Sequence, residues 1–241
     1  MNFQQLIDHL LQRLPAKTAF STIDLKEAMR SYFPDAADTS LSWRINQLKK
    51  ENLIQQVGRG LYSFDFKPEY KPAINMRTKR AANRISSFCS YTPIIWDTAM
   101  LNSLSDDPKL LHWVFVEVGR AELNAIFSQA LQFSKKLYAN PDNETVSRYL
   151  LPVDEAIILI PQVSETPSIQ QGDISTLDIE GLLVNAYWHY ERFFKPIGYD
   201  IESIFKNALN KYNVNSAKLL RFAARRDKRN EIEQLLNTIA L

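Results

Sequence analysis

The stretch LIQQVGRGLY, residues 53–62, decides how the first part of this chain folds. Short apolar runs lie on either side of a Gly-Arg-Gly turn, which is typical of two strands joined by a tight hairpin. We predict a strand over residues 53–57, a turn at 58–60 and a returning strand over 61–66. The glycines on both sides of Arg59 permit a positive φ at the turn and a close approach of the hairpin tip to another molecule.

Helical patterns precede this hairpin. The first helix has apolar residues at helical spacing from residue 3 to residue 14 and stops at Pro15. The second begins at a cap supplied by Ser21 or Thr22 and ends before Pro34. A third predicted helix lies between the second helix and the hairpin. Three helices followed by a hairpin is the order of elements in a winged helix-turn-helix.

The third predicted helix carries the surface that matters for function. It is capped by Asp38 or Thr39 and buries a stripe of Leu41, Ile45 and Leu48. Its other face and the hairpin tip present groups able to touch phosphates and base edges in DNA. The predicted DNA contacts are Ser40, Trp43, Arg44, Gln47, Lys50 and Arg59. Winged helices also serve as protein-interaction modules, which is the alternative interpretation of this surface.

Length and composition indicate two ordered domains. The chain has 241 residues, of which 45% are hydrophobic and only six are glycine, so both parts have enough apolar surface for a core. Two prolines within residues 67–72 mark the junction. We place a winged-helix DNA-binding domain at residues 1–70 and a second domain at residues 73–241.

Composition also limits location and partners. The longest apolar runs fall far short of the roughly 20 residues that a membrane span needs, and the N-terminus lacks the pattern of a signal peptide. A single cysteine, Cys89, excludes an internal disulfide and fits a reducing compartment. We therefore expect a cytoplasmic protein with no membrane partner. The net charge of +2 is too small to indicate nucleic acid by itself.

The second domain shows strands and helices in alternation, which predicts a mixed α/β layer. The predicted strands cover residues 92–96, 113–118 and 153–160. A capping-box pattern at residues 175–178 is expected to open a long helix, and Asp200 and Asn215 are expected to cap two more. The predicted fold class is α+β, a winged helix-turn-helix followed by a mixed α/β domain that ends in a helical bundle.

One pair of carboxylates raises the question of enzymatic chemistry. Asp97 after one strand and Glu117 in the next resemble the metal-binding carboxylates of restriction-endonuclease-like nucleases, but Gly119 occupies the place of their lysine. Without that lysine no obvious group positions and activates a water beside a metal. We interpret Asp97 as a helix cap and Glu117 as a paired sheet residue, and His189, between two aromatic residues, as packed. We predict no catalysis, no metal and no cofactor.

Two basic clusters follow the first domain. One belongs to the predicted helix over residues 75–89 and either lies against DNA or braces the hairpin. The other covers residues 218–229, and we interpret it as a solvated helix face.

Several motifs, taken in order, resemble the AbiEi-type antitoxin family. They are FSTIDL at 20–25, LIQQVGRGLY at 53–62, IIWDT at 94–98, TLDIEGLLV at 176–184, and YNVN at 212–215 leading to LLRFAARR at 219–226. That family is the antitoxin and transcriptional-regulator half of toxin–antitoxin systems linked to abortive infection by phage. The resemblance spans most of the chain, and Gly181 departs from it, because a charged residue is expected there.

The resemblance implies a neighbouring gene for a nucleotidyltransferase-like toxin. It also implies that the N-terminal domain represses its own operon through inverted repeats in double-stranded promoter DNA, and that residues 73–241 neutralise the toxin, with or without direct contact. The antitoxicity residues that it suggests are Arg221, Arg225 and Arg226. Two alternatives stay open, a metal-dependent restriction-like nuclease and a transcriptional regulator whose second domain senses a small molecule.

Overall fold

The computed structural model describes residues 3–14, 19–51, 53–64 and 67–239, apart from the side chains of residues 3 and 4. The chain is an α+β protein that divides into two compact units, Met1–Pro68 and Glu69–Leu241. We call them unit 1 and unit 2. None of the described helices combines the length and the apolar character needed to cross a lipid bilayer.

Unit 1 contains helices and a small antiparallel sheet. The helices are α1 (Phe3–Arg13), α2 (Thr22–Arg30) and α3 (Asp38–Lys50). The strands are β1 (Phe20–Ser21), β2 (Gln55–Gly58) and β3 (Leu61–Ser63), in the order β1-β3-β2. The predicted stripe of α3, with Leu41 and Leu48 fully buried, packs on α1 and α2 around Leu10, Leu25 and Met29.

The helix starts in unit 1 differ from each other. Ser21, one of the two predicted caps of α2, forms a capping box with Asp24. The predicted side-chain cap of α3 is wrong, because Ala37 is the N-cap and makes no capping hydrogen bond. Asp38 lies in the first helical turn, where its carboxylate forms ion pairs with Lys26 and Arg30.

The hairpin is shorter than predicted and is joined by a strand that the sequence pattern did not reveal. Strand β1 pairs with β3, with Phe20 opposite Tyr62. The β2–β3 register shifts near the turn, and Gly60 adopts a positive φ of 71°, whereas Gly58 does not. The predicted strand end at residues 65 and 66 lies outside the described residues.

Unit 2 is built on a mixed sheet whose strand order is β6-β7-β5-β4-β9-β8. The strands are β4 (Ile94–Asp97), β5 (His112–Val118), β6 (Leu137–Ala139), β7 (Glu155–Pro161), β8 (Ser168–Gln171) and β9 (Ile174–Leu177). Strands β5, β7 and β6 run parallel to one another, and β4 is antiparallel to β5. The mixed α/β character predicted for this part of the chain is confirmed.

Helices of varied length precede, connect and follow these strands. They are α4 (Met76–Ser86), α5 (Thr98–Asn102), α6 (Leu123–Ala130), α7 (Asn143–Thr145), α8 (Ile179–Trp188), α9 (Ile201–Lys211), α10 (Ser216–Arg225) and α11 (Arg229–Ile239). Helices α7 and α8 are each continued by a π-helical turn, Val146–Leu150 and Tyr190–Phe194. The caps predicted at Asp200 and Asn215 are confirmed.

The residues around position 175 fold differently from the prediction. Residues 174–177 form strand β9, and Asp178 alone caps α8 by accepting a hydrogen bond from the Gly181 backbone N–H. Gly181 itself packs closely, because a Cβ at that position would overlap the carbonyl oxygen of Pro167. A larger residue is therefore excluded by packing.

The sheet of unit 2 separates two apolar layers. On one face, α4 and α6 pack around Val114 and Val116 of β5. On the other face, α8, α9 and α10 pack around Trp113 and Phe115 of the same strand. The C-terminal helices thus form a layer that shares the sheet's core. Tyr70, from the stretch predicted to link the domains, is buried in this core too.

Candidate nucleic-acid interface

The outward face of α3 is rotated relative to the prediction. Trp43 is 54% exposed and Lys50 is exposed, as expected. The predicted contacts Ser40, Arg44 and Gln47 are only half-exposed. The most exposed stripe adds Thr39 and Asn46, which sequence reasoning missed. Their spacing from Trp43 and Lys50, at i, i+4, i+7 and i+11, was the signal that would have found them.

Arg44 packs against its own unit. Its guanidinium lies over the ring of Phe33, with the Cζ atom 4.0 Å from the ring centroid. A stacked guanidinium of this kind is held by the ring's negative face. Arg44 therefore contributes to the packing of α3 and does not extend freely from it, which corrects the expectation of a fully outward side chain.

The hairpin tip is fixed to the helices beside it. The backbone N–H and the hydroxyl of Thr22 both donate to the Gly60 carbonyl, at 2.9 and 3.2 Å. At the other side, Lys49 Nζ donates to Gln56 Oε1 at 2.9 Å, which joins the last turn of α3 to β2. These bonds hold Arg59 at a defined place relative to α3.

Two exposed cations, one at the end of α3 and one at the hairpin tip, are available to a ligand. Arg59 and Lys50 are exposed, and within the described residues neither side chain has a hydrogen-bond or ion-pair partner. The acidic residue at the start of α3 is compensated, because Lys26 and Arg30 pair with Asp38 and the hydrogen bond from Lys26 lowers its pKa. We define the α3–hairpin surface as Thr39, Trp43, Asn46, Lys50 and Arg59.

The two carboxylates considered for a nuclease do not meet. Asp97 accepts hydrogen bonds from Asn75, Thr78 and the Met100 backbone N–H, and so caps α5 as predicted. Glu117 accepts a hydrogen bond from Asn185 of α8, which packs on the other face of the sheet. Because side chains alternate along paired strands, the two carboxylates lie on opposite faces of the sheet.

Gly119 stands where those nucleases have their lysine. A Cβ at Gly119 would meet the hydroxyl at the end of the exposed Tyr91 side chain, which would have to shift to admit a larger residue. Within the described residues no group of three or more His, Cys, Asp or Glu side chains is arranged to hold a metal ion. The geometry therefore does not support metal-dependent cleavage by Asp97 and Glu117.

Glu117 belongs to a buried polar cluster that also contains Thr166, Asn185 and Arg226. Asn185 Nδ2 donates to Glu117 Oε1 at 2.8 Å, and Arg226 Nη2 donates to Asn185 Oδ1 at 2.6 Å. Arg226 lies 3.7 Å from Glu117. The Thr166 hydroxyl, which donates to the Val163 carbonyl at 2.8 Å, lies 3.4 Å from the Glu117 carboxylate. Burial raises the pKa of Glu117 to about 7, although Arg226 acts in the opposite direction.

This cluster corrects the interpretation of the C-terminal basic stretch. Arg226 is only 5% exposed, with its guanidinium 4.6 Å from the ring centroid of Trp188, so the expected solvated face is wrong at this position. Arg221 and Arg225 are exposed, and Arg225 pairs with Glu165 at 2.6 Å. Two of the three predicted antitoxicity residues therefore reach the surface, and the third is part of the core.

His189 is packed, as predicted. It is fully buried among aromatic rings, of which Trp188 and Phe193 are 4.5 and 5.3 Å away between centroids. Burial, with Arg192 and Arg226 nearby, lowers its pKa well below the ordinary value. A neutral, enclosed ring is consistent with a structural role.

Fold and site together define a two-unit α+β protein, with an exposed basic helix–hairpin surface in one unit and a buried ion pair in the other. The chain belongs to the family of unknown function DUF6577, which matches residues 40–241. The matched region begins inside α3 and includes the whole of unit 2. Comparison of the sequence with curated proteins finds no match.

Proposed function

We propose that the protein is a DNA-binding regulator whose unit 1 is a winged helix. The order of α1, α2, α3 and the β2–β3 hairpin is that of a winged helix, in which the third helix enters the major groove and the hairpin contacts the flanking backbone. The observation that carries the proposal is a pair of exposed cations, Lys50 at the end of α3 and Arg59 at the braced hairpin tip, neither of which has a partner within the described residues. Duplex DNA attracts such a surface through its phosphates.

The α3–hairpin surface supplies different kinds of contact. Lys50 and Arg59 would bind phosphates, and Trp43 would pack on the sugar–phosphate edge or on a thymine methyl group. Asn46 of this surface, and the half-exposed Gln47 beside it, offer donors and acceptors for base edges. Because one copy makes few phosphate contacts, inverted repeats that bind two copies would raise the occupancy of the operator.

We also propose that the protein is the antitoxin and autorepressor of a toxin–antitoxin operon. This step rests on the resemblance to the AbiEi-type family, in which the partner gene encodes a nucleotidyltransferase-like toxin. In this scheme unit 2 counteracts the toxin without catalysis, and Arg221 and Arg225 are its exposed candidate residues. Repression of its own operon places the protein in the cytoplasm.

DNA binding is tested by titrating the full chain onto its own promoter fragment and measuring fluorescence anisotropy at several salt concentrations. We expect Lys50→Ala/Arg59→Ala to bind at least about tenfold more weakly. The slope of log affinity against log salt should fall by about two, one for each lost phosphate contact. The control Arg13→Ala/Lys206→Ala removes two exposed cations elsewhere. Equal affinity of both double variants and the wild type would refute the interface.

Neutralisation is tested separately by co-expressing the full chain with the product of the adjacent gene. We expect that product to arrest growth alone, and we expect both the wild type and Lys50→Ala/Arg59→Ala to relieve the arrest. If the neighbour is harmless, or if neither protein relieves the arrest, the antitoxin proposal fails while DNA binding stands.

A further inference from the structure

A cleft in unit 2 lies between α4 and the first residues of the parallel strands β5 and β7. Its volume is about 350 Å³, within the range of small-ligand pockets. The lining residues are Arg77, Arg80, Ala81, Arg84, His112, Val114, Ser134, Lys136, Glu155, Ala156 and Ile157. We call it the basic cleft. It lies on the face of the sheet that α4 and α6 cover, away from the buried polar cluster.

The charge of the basic cleft is strongly positive. Arg77, Arg80 and Arg84 follow one side of α4 at spacings of three and four residues, so their side chains point the same way. Arg77 pairs with Glu155, the one carboxylate among the described lining residues. Arg80, Arg84 and Lys136 have no side-chain partner within the described part of the chain. Three uncompensated cations therefore face one concave space.

The floor of the basic cleft is apolar. Val114 and Ala81 belong to the core beneath α4, and Ile157 continues the floor on β7. His112 begins β5 beside them, and burial lowers its pKa. An apolar floor next to three cations suits a ligand with an uncharged body and an anionic end.

We propose that the basic cleft binds a small organic phosphate of nucleotide size, with its phosphate on Arg80, Arg84 and Lys136 and its uncharged ring on the apolar floor. Arginine matches phosphate oxygens with a planar fork of donors, which makes it the favoured residue for phosphate recognition. The cations line a concavity instead of spreading along a ridge, which favours a small ligand over a duplex. This site shares no residue with the proposed DNA surface and gives unit 2 a ligand-binding role.

The test measures binding to the full chain by calorimetry, with ATP, AMP, adenosine and pyrophosphate as probes. We expect ATP or AMP to bind in the micromolar range, and adenosine and pyrophosphate at least tenfold more weakly than the better nucleotide. Arg80→Ala/Arg84→Ala should weaken nucleotide binding at least tenfold, and Lys136→Glu should do the same from the other wall. The matched control is Lys79→Ala/Arg120→Ala, which removes two exposed cations that do not line the cleft.

Thermal unfolding of each variant checks that the fold is retained, because all five substituted side chains are exposed. The proposal is overturned if neither nucleotide binds below millimolar concentration, if pyrophosphate or adenosine binds as tightly as both nucleotides, or if the control pair weakens binding as much as the cleft pair. It is also overturned if a single-stranded oligonucleotide binds the cleft more tightly than the nucleotides do, since that result assigns the cleft to nucleic acid.

Discussion

The hairpin tip of unit 1 and the end of α10 in unit 2 each carry an arginine, yet the two side chains have opposite surroundings. Arg59 is exposed and has no side-chain partner within the described residues. Arg226 is 5% exposed, bonded to Asn185 and 3.7 Å from Glu117. A basic stretch in a sequence therefore does not reveal which charges a ligand can reach, because the elements that pack on each residue decide its exposure.

The two environments also give an arginine different physical effects. An exposed cation is well hydrated and adds little to stability, but it can exchange water and counterions for a phosphate. A buried cation has lost its hydration, so its partners become essential to the folded state. Substitutions in the α3–hairpin surface should therefore change binding, and substitutions in the buried polar cluster should change stability.

The largest effect is expected from Arg226→Ala. It leaves Glu117 and Asn185 buried without their partner, which should lower the free energy of unfolding by about 3–5 kcal/mol near pH 8. Urea unfolding followed by circular dichroism measures this directly. The control is Arg225→Ala, one residue away, whose exposed pair with Glu165 should contribute at most about 1 kcal/mol. Similar losses in the two variants would abolish the contrast between buried and exposed arginines.

The next effect is a pH dependence that arises from Glu117. Its pKa is about 7 in the folded protein and near 4.5 in the unfolded chain, so the folded state holds a proton that the unfolded state releases between these values. Stability from this group is therefore full below pH 4.5 and is lost as pH rises to 7, by roughly 3 kcal/mol. Burial of His189 acts in the opposite sense, since its lowered pKa favours the folded state at higher pH.

The difference between wild type and Glu117→Gln isolates the carboxyl group from His189. We expect the stability of the wild type relative to that variant to decline between pH 4.5 and 7.5. Urea unfolding of both proteins across this range measures the decline. A constant difference would mean that Glu117 is ionised throughout and that Arg226 compensates it fully.

Local signals in the sequence predicted much of this structure. The capping residues Ser21, Asp97, Asp200 and Asn215 were identified because a cap depends on neighbours within three residues. The stripe of α3 and the strands β4, β5 and β7 were identified from periodicity and β-branched runs. Strands β1, β6, β8 and β9 were missed, because each is defined by its partner across the sheet and not by a pattern within its own residues.

In the candidate sites, too, the sequence predicts local features and misses those that depend on distant elements. Exposure of Trp43 and Lys50 follows from their position relative to the buried stripe of one helix. The ring of Phe33 under Arg44 and the burial of Arg226 depend on elements that are distant in sequence. The basic cleft was missed for this reason too, since α4 supplies one wall and residues near the starts of β5, β6 and β7 supply the rest.

A smaller effect is expected where α8 approaches the β7–β8 connection. Gly181→Ala places a methyl group against the carbonyl oxygen of Pro167, in the helix that carries Asn185 of the buried polar cluster. A well-packed interior yields little, so we expect a loss of about 2 kcal/mol in urea unfolding. The matched change in the exposed region is Gly58→Ala, where the new methyl group meets only the Leu61 side chain at 3.4 Å. If both variants unfold alike, the close contact at Gly181 is not a constraint.

The smallest effect concerns Arg44, which is neither fully exposed nor buried. Removing its stacking on Phe33 in Arg44→Ala should lower stability by about 1 kcal/mol. Lys50→Ala, one and a half turns further along α3, should leave stability within about 0.5 kcal/mol of wild type. Affinity for promoter DNA should rank the two variants in the reverse order, with Lys50→Ala the weaker binder. If Arg44→Ala abolished DNA binding while leaving stability unchanged, Arg44 would belong to the α3–hairpin surface after all, and the ring of Phe33 would only orient it toward the duplex.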